Sequence, residues 1–158
     1  MKIGLLALFH HATEKDMKTV RQLLQGKQSG VYTIEPDVPV IAALRLMAEH
    51  GIGALPVVAD GRLAGILSER DYARKIVLQG RSSHDTRVSE IMTAHVVCVG
   101  PQRTVQECMV LMTEKRIRYL AVIEDGKLTG LLSIGDLVKE TISEQQLMIA
   151  QLESYIHG

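Results

Sequence analysis

The strongest constraint on this chain is that it contains one pattern twice. Gly65-Ile66-Leu67-Ser68-Glu69-Arg70-Asp71 returns as Gly130-Leu131-Leu132-Ser133-Ile134-Gly135-Asp136, at an offset of 65 residues. With no gap, residues 31–72 and 96–137 agree at 16 of 42 positions. Chance would give roughly two to four, so the chain reads as one unit built twice, and two copies are too few for a solenoid.

Each copy begins with a short β-prone run, residues 31–34 and 96–99. A helical stripe follows: Val40, Leu44, Met47 and Ala48 in the first copy, Val105, Cys108, Met109 and Met112 in the second. Asp37 is placed to cap the first of these helices, with Pro39 in its first turn and Gly51 at its end. Two β-prone runs then flank Asp60-Gly61, and again Asp125-Gly126, a dipeptide suited to a two-residue hairpin turn. Pro56 confines its strand to an edge or makes it a strand start. Ser68 opens a helix that runs through Ile76 to a stop near Gly80. Residues 88–92 form a helical turn capped by Thr86 or Ser89.

This β-α-β-β-α order predicts an α/β (α+β) fold whose two units bury their apolar sheet faces against each other. The expected divisions are 1–30, an extension with a short helix on Val20, Leu23 and Leu24; 31–87, the first repeat and linker; 88–143, the second repeat; and 144–158, the end of a long C-terminal helix. That helix carries apolar positions beyond Ile142 that need a surface, and a second subunit making a homodimer is the expected one. Residues 1–16 read as an upstream extension ahead of Met17, with 3–9 a short helix or tail and His10-His11 solvated.

Several function classes are disfavoured. A net charge of +0 and an aromatic content of 3% fit poorly with nucleic-acid binding, which draws on basic faces and stacking rings. No apolar run approaches the roughly 18 residues of a membrane span. The two cysteines, Cys98 and Cys108, lack metal-site spacing and read as small buried hydrophobes in a reducing cytoplasm, with no metal expected. The six histidines stand beside no nucleophile motif, and there is no P-loop, so an enzyme is not expected. His50, before Gly51, reads as a residue at a helix C-terminus.

The repeated Ser-x-x-Asp is close to a capping box, which alone would explain Ser68, Asp71, Ser133 and Asp136. It also suits a ligand. A carboxylate can accept both hydroxyls of a vicinal diol, a serine adds a hydroxyl, and the preceding Gly65 or Gly130 lets a ring approach the strand. The copies differ in charge: Arg116 and Arg118 stand where the first copy has Gly51 and Gly53, and Arg70 where the second has Gly135. The two sites should therefore be unequal.

The segments Gly51-Ile52-Gly53-Ala54-Leu55-Pro56-Val57-Val58, Gly-x-x-Ser-x-x-Asp at 65–71 and 130–136, and Val88-Ser89-Glu90-Ile91-Met92-Thr93 resemble a tandem pair of CBS domains, the cystathionine β-synthase type module also called a Bateman module. The resemblance spans about residues 31–142 and implies a stand-alone regulatory pair with two clefts for an adenine-containing ligand: AMP, ADP, ATP, an NAD-type dinucleotide or S-adenosylmethionine. It implies that Asp71 and Asp136 hold ribose hydroxyls and that Ser68 and Ser133 touch phosphate or ribose. Each cleft would borrow from the other repeat: Tyr32, Thr33, Gly53, Ala54 and Leu55 beside Asp136; Val97, Cys98, Arg118, Tyr119 and Leu120 beside Asp71, with Arg70 available to a phosphate. Ala121, in place of the proline at 56, departs from the pattern. The implied function is sensing of energy or redox state, read by an effector protein in trans; the alternative is a scaffold with ligand-free clefts.

Overall fold

A computed structural model describes residues 17–27 and 30–157. The expectations for residues 3–9 and His10-His11 lie outside the described residues. In chain order the elements are α1 (Val20–Gln25), α2 (Val40–His50), β1 (Ala54–Ala59), β2 (Arg62–Ser68), α3 (Glu69–Tyr72), a π-helical turn (Ala73–Val77), α4 (Val88–Ile91), β3 (Cys98–Val99), α5 (Val105–Lys115), β4 (Tyr119–Glu124), β5 (Lys127–Ser133) and α6 (Ile134–His157).

The hairpins follow from their turn residues. Asp60 and Gly61 have φ of 52° and 75°, and Asp125 and Gly126 have 51° and 76°. Two successive positive φ values match the twist of the flanking strands. β1 pairs antiparallel with β2, and β4 with β5, in the same register: Ala54 faces Ser68, and Tyr119 faces Ser133. The corner serine of each repeat is thus held opposite the first residue of the preceding strand.

The opening runs are shorter than expected. Residues 31–34 supply one parallel bridge, Ile34 to Val57, and the second copy keeps only β3, parallel to β4. Asp37 is exposed, and Pro39 itself occupies the N-cap of α2, with no side-chain cap. Neither Thr86 nor Ser89 caps α4; the Glu90 carboxylate accepts the Arg87 N–H at 2.7 Å. Cys98 is exposed, which corrects its reading as a buried residue; Cys108 is buried.

The core also differs from expectation. Each repeat buries its own cluster, one around Val40, Leu55, Leu67 and Ile76, the other around Val105, Met112, Leu120, Leu132 and Leu137. The two sheets meet where β2 lies against β5, as expected, but the buried apolar core is divided between the repeats. The repeats also exchange segments. Val88 and Ile91, at the very start of the second repeat, sit in the first cluster, and Val20, ahead of the strands of the first repeat, sits in the second. The hydrogen bonds match in kind: Val88 N–H to Val38 C=O and Ser89 N–H to Pro36 C=O, against Val20 N–H to Arg103 C=O and Arg21 N–H to Pro101 C=O.

This exchange accounts for two glycines. A Cβ on Gly65 would stand 2.8 Å from Met92 Sδ and 2.8 Å from the Thr93 carbonyl; one on Gly130 would stand 2.7 Å from two Leu24 methyls. Both glycines admit the exchanged segments; Gly65 lines neither cavity described below, whereas Gly130 also lines the larger one.

Candidate functional site

Each corner is a strand that ends in serine and a helix that starts on the next residue. Ser68 N–H donates to Asp71 Oδ2 at 3.0 Å and Asp71 N–H to Ser68 Oγ at 3.2 Å; Ser133 and Asp136 do the same at 2.9 and 3.1 Å. The capping box is real in both copies. It leaves part of each carboxylate for other partners, and there the copies diverge.

Asp71 is 8% exposed. Its Oδ2 also accepts from Ser68 Oγ at 3.0 Å, and its Oδ1 accepts from Thr93 Oγ1 at 3.2 Å and pairs with Lys75 Nζ at 3.0 Å. Four donors occupy the roughly four lone-pair sites of a carboxylate. Lys75 comes from the π-helical turn and also donates to the Ile91 carbonyl at 2.8 Å, so one ammonium ties the corner to the exchanged α4. At Asp136, among the described residues, both donors fall on Oδ2: Ser133 N–H and Lys27 Nζ, the latter at 2.7 Å. Among the described residues Oδ1 receives no donor, and Asp136 lines the neighbouring cleft.

Two cavities flank these corners. The one at Asp136, about 530 Å³, is lined by Leu24, Lys27, Tyr32, Gly53, Ala54 and Ser133, among others. The one at Asp71, about 210 Å³, is lined by Ser68, Glu69, Arg70, Thr93, His95, Val97, Arg116 and Arg118. Tyr119 and Gly53 line both. A Cβ on Gly53 would meet Tyr119 Oη at 2.7 Å, so the missing side chain is what admits the phenol to this shared wall. Burial and, next, the Glu69 carboxylate push that phenol's pKa up, so its hydroxyl keeps its proton and can donate. Tyr32, which lines the larger cavity, is stacked on His50 with centroids 3.7 Å apart.

Of the expected cleft residues, Tyr32, Gly53, Ala54, Ser133 and Asp136 come together in one cavity, and Ser68, Arg70, Asp71, Val97, Arg118 and Tyr119 in the other. Leu55 and Leu120 do not; both are fully buried in the cores. Thr33 and Cys98 are exposed and line neither cavity. Sequence reasoning missed Lys27, Lys75, Thr93 and His95. Lys27 and Thr93 arrive with the exchanged segments, which no repeat alignment supplies; Lys75 was signalled by its i,i+4 spacing from Asp71 on the predicted helix.

The Asp136 carboxyl is pulled two ways. Burial, the largest influence, raises its pKa, but the Lys27 ammonium and the Ser133 N–H together outweigh it and hold the group below the usual carboxylate range. Because the folded value is depressed, this contribution to stability is present above the unfolded value of about 3.9 and is lost as pH falls toward the folded one. Urea unfolding of wild type and Lys27→Met should show a stability gap at neutral pH that shrinks below about pH 4. A gap independent of pH would contradict the ion pair.

Comparison with known proteins adds family context to this geometry. The family model for "CBS domain" matches residues 20–78 and again 88–143. The mitochondrial CBS domain-containing protein CBSX3 of Arabidopsis thaliana is 44% identical over 127 residues, covering 77% of this chain and 62% of that protein. The Bacillus subtilis CBS domain-containing protein YhcV is 35% identical over 115 residues, covering 73% of this chain and 81% of that one. A solved structure of a protein with CBS domains from Burkholderia ambifaria superposes with a TM-score of 0.77 at 55% identity, covering 81% of this chain and 96% of that chain.

Proposed function

We propose a function for this chain from one premise: it belongs to the CBS-domain family and carries the domain twice. The function is uptake of an adenine nucleotide (AMP, ADP, ATP or an NAD-type dinucleotide) in the Asp136 cleft, as the input of a regulatory module rather than of an enzyme. One observation carries this reading: Asp136, whose Oδ1 receives no donor among the described residues, lines a cavity of about 530 Å³, within the range of small-molecule sites. Oδ1 takes the ribose hydroxyls, and Lys27, paired to Oδ2, offers an ammonium to the ligand's phosphate. Tyr32 and Ala54 supply apolar surface for the base. The ligand shifts the module's conformational equilibrium only by its differential affinity for the two states, and the shift is passed to an effector protein in trans.

A thermal-shift series with AMP, ADP, ATP, NAD, NADH and S-adenosylmethionine tests this. A ligand at 100 times its Kd stabilises the folded state by about 2.7 kcal/mol, a rise of several degrees. No shift with any of the six at millimolar concentration would sink the reading in favour of a scaffold with ligand-free clefts.

The module works as a homodimer. On α6, Val138, Ile142, Ile149, Leu152 and Ile156 are all exposed and fall on one seam at alternating spacings of three and four, with Gln145 the polar member. Substituting Ile149→Asp and Leu152→Asp together should convert the dimer to a monomer by sedimentation equilibrium while leaving the melting curve intact. A wild type already monomeric at tens of micromolar, or a double variant of unchanged mass, would refute the pairing. Among the described residues no helix is long and apolar enough to cross a membrane. Both cysteines are unpaired, which supports a reducing compartment such as the cytoplasm.

A further inference from the structure

We propose that the Asp71 cleft is a polyphosphate-binding site and not a second nucleoside site. Asp71 is the residue that would have to hold a ribose, and its lone pairs are already taken by Ser68, Thr93 and Lys75. The cavity beside it, about 210 Å³, lies below the roughly 300 Å³ at which small-molecule pockets begin. What the cleft does offer is cations. Arg70, Arg116 and Arg118 line it together with His95, and among the described residues no carboxylate lies within ion-pair distance of the three guanidinium groups. Of the two carboxylates lining the cleft, Asp71 is neutralised by Lys75, which leaves Glu69 against three arginines. Guanidinium forks match phosphate oxygens two at a time.

Backbone strain supplies an independent argument. Arg116 ends α5 in the left-handed region, at φ 53°, where its counterpart Gly51 has φ 62°. Glycine adopts that conformation freely and arginine does not. A strained, unpaired arginine where glycine would be easier marks a position kept for a ligand. Arg118 likewise replaces Gly53, so the Asp136 cleft has no charge at either place.

The polyphosphate has two possible sources, a free anion or the tail of a nucleotide seated in the Asp136 cleft across the Gly53–Tyr119 wall; only the second rests on the function proposed above. Calorimetry on the full chain in magnesium-free buffer, with inorganic pyrophosphate as probe, tests the site itself. Wild type should bind pyrophosphate; Arg116→Gly with Arg118→Gly should lose at least tenfold in affinity, and Asp136→Asn should change nothing. Arg116→Gly alone should melt about 2 °C or more above wild type, because the strain is relieved. ATP affinity falling with the arginines while AMP affinity holds identifies the nucleotide tail; pyrophosphate binding alongside bound ATP identifies a free anion; either result supports the site. No pyrophosphate binding at millimolar concentration, binding indifferent to both arginines, or loss of AMP binding with them would overturn it. Failure of the nucleotide reading looks different: AMP binding absent, or unchanged in Asp136→Asn, with pyrophosphate still bound through the arginines.

Discussion

Asp136→Ala should weaken AMP binding about 100-fold, and Asp71→Ala should leave it within about threefold. Hydrogen bonds to a charged acceptor contribute about 1.5–3 kcal/mol each, so losing the ribose contacts of one carboxylate amounts to two orders of magnitude. Asp136 can make those contacts because its Oδ1 receives no donor among the described residues. Asp71 cannot, because Ser68, Thr93 and Lys75 fill it. Its removal should appear in stability instead. Ser68 and Thr93 would lose a buried acceptor, and α4 would lose its tie to the corner. With the Lys75 head partly solvated, a loss of about 2–3 kcal/mol in urea unfolding is expected. If the two alanine variants lost AMP binding equally, the clefts would be equivalent nucleoside sites and the account of their asymmetry would be wrong.

The second large effect concerns the glycines. Gly65→Ala should destabilise the fold by about 2–3 kcal/mol, and Gly130→Ala by about 1 kcal/mol or less. The new methyl at 65 meets the Thr93 carbonyl, which is backbone held by Thr93 N–H to Ile66 C=O and Ile66 N–H to Thr93 C=O. It has nowhere to go unless α4 is pushed off the first core. The methyl at 130 meets only the end of the Leu24 side chain, which can change rotamer. Chemical denaturation of both variants measures this directly. Equal costs would mean that the two exchanged segments are seated alike.

These two contrasts mark the boundary of what the sequence discloses. Turn chemistry and capping are local, so Asp60-Gly61, Asp125-Gly126 and the two Ser-x-x-Asp corners were legible from a few residues each. The exchange was not. Val20, Leu23 and Leu24 correspond to Val88, Ile91 and Met92 at an offset of 68, not 65, so the register that reveals the repeats hides these segments. Their shared Val-x-x-apolar-apolar spacing was the available signal. Missing the exchange also left unexplained why Gly65 and Gly130 admit Met92, Thr93 and Leu24, although Gly130 lines the larger cavity as well. Leu55 and Leu120 failed as cleft residues because strand alternation turns them inward from neighbours that do line a cavity, Ala54 and Tyr119. The filling of Asp71 depends on Lys75, its i+4 neighbour on the helix opened by Ser68, a pairing that helical spacing makes legible, and on Thr93, which only the exchanged segment brings in.

The central claim is that two repeats of one pattern have become two unlike clefts, only one of which holds a nucleoside. The stoichiometry of AMP binding by isothermal calorimetry tests it most directly. One AMP per chain, abolished by Asp136→Ala and retained by Asp71→Ala, is the predicted result; two AMP per chain, or one that depends on Asp71, would contradict it.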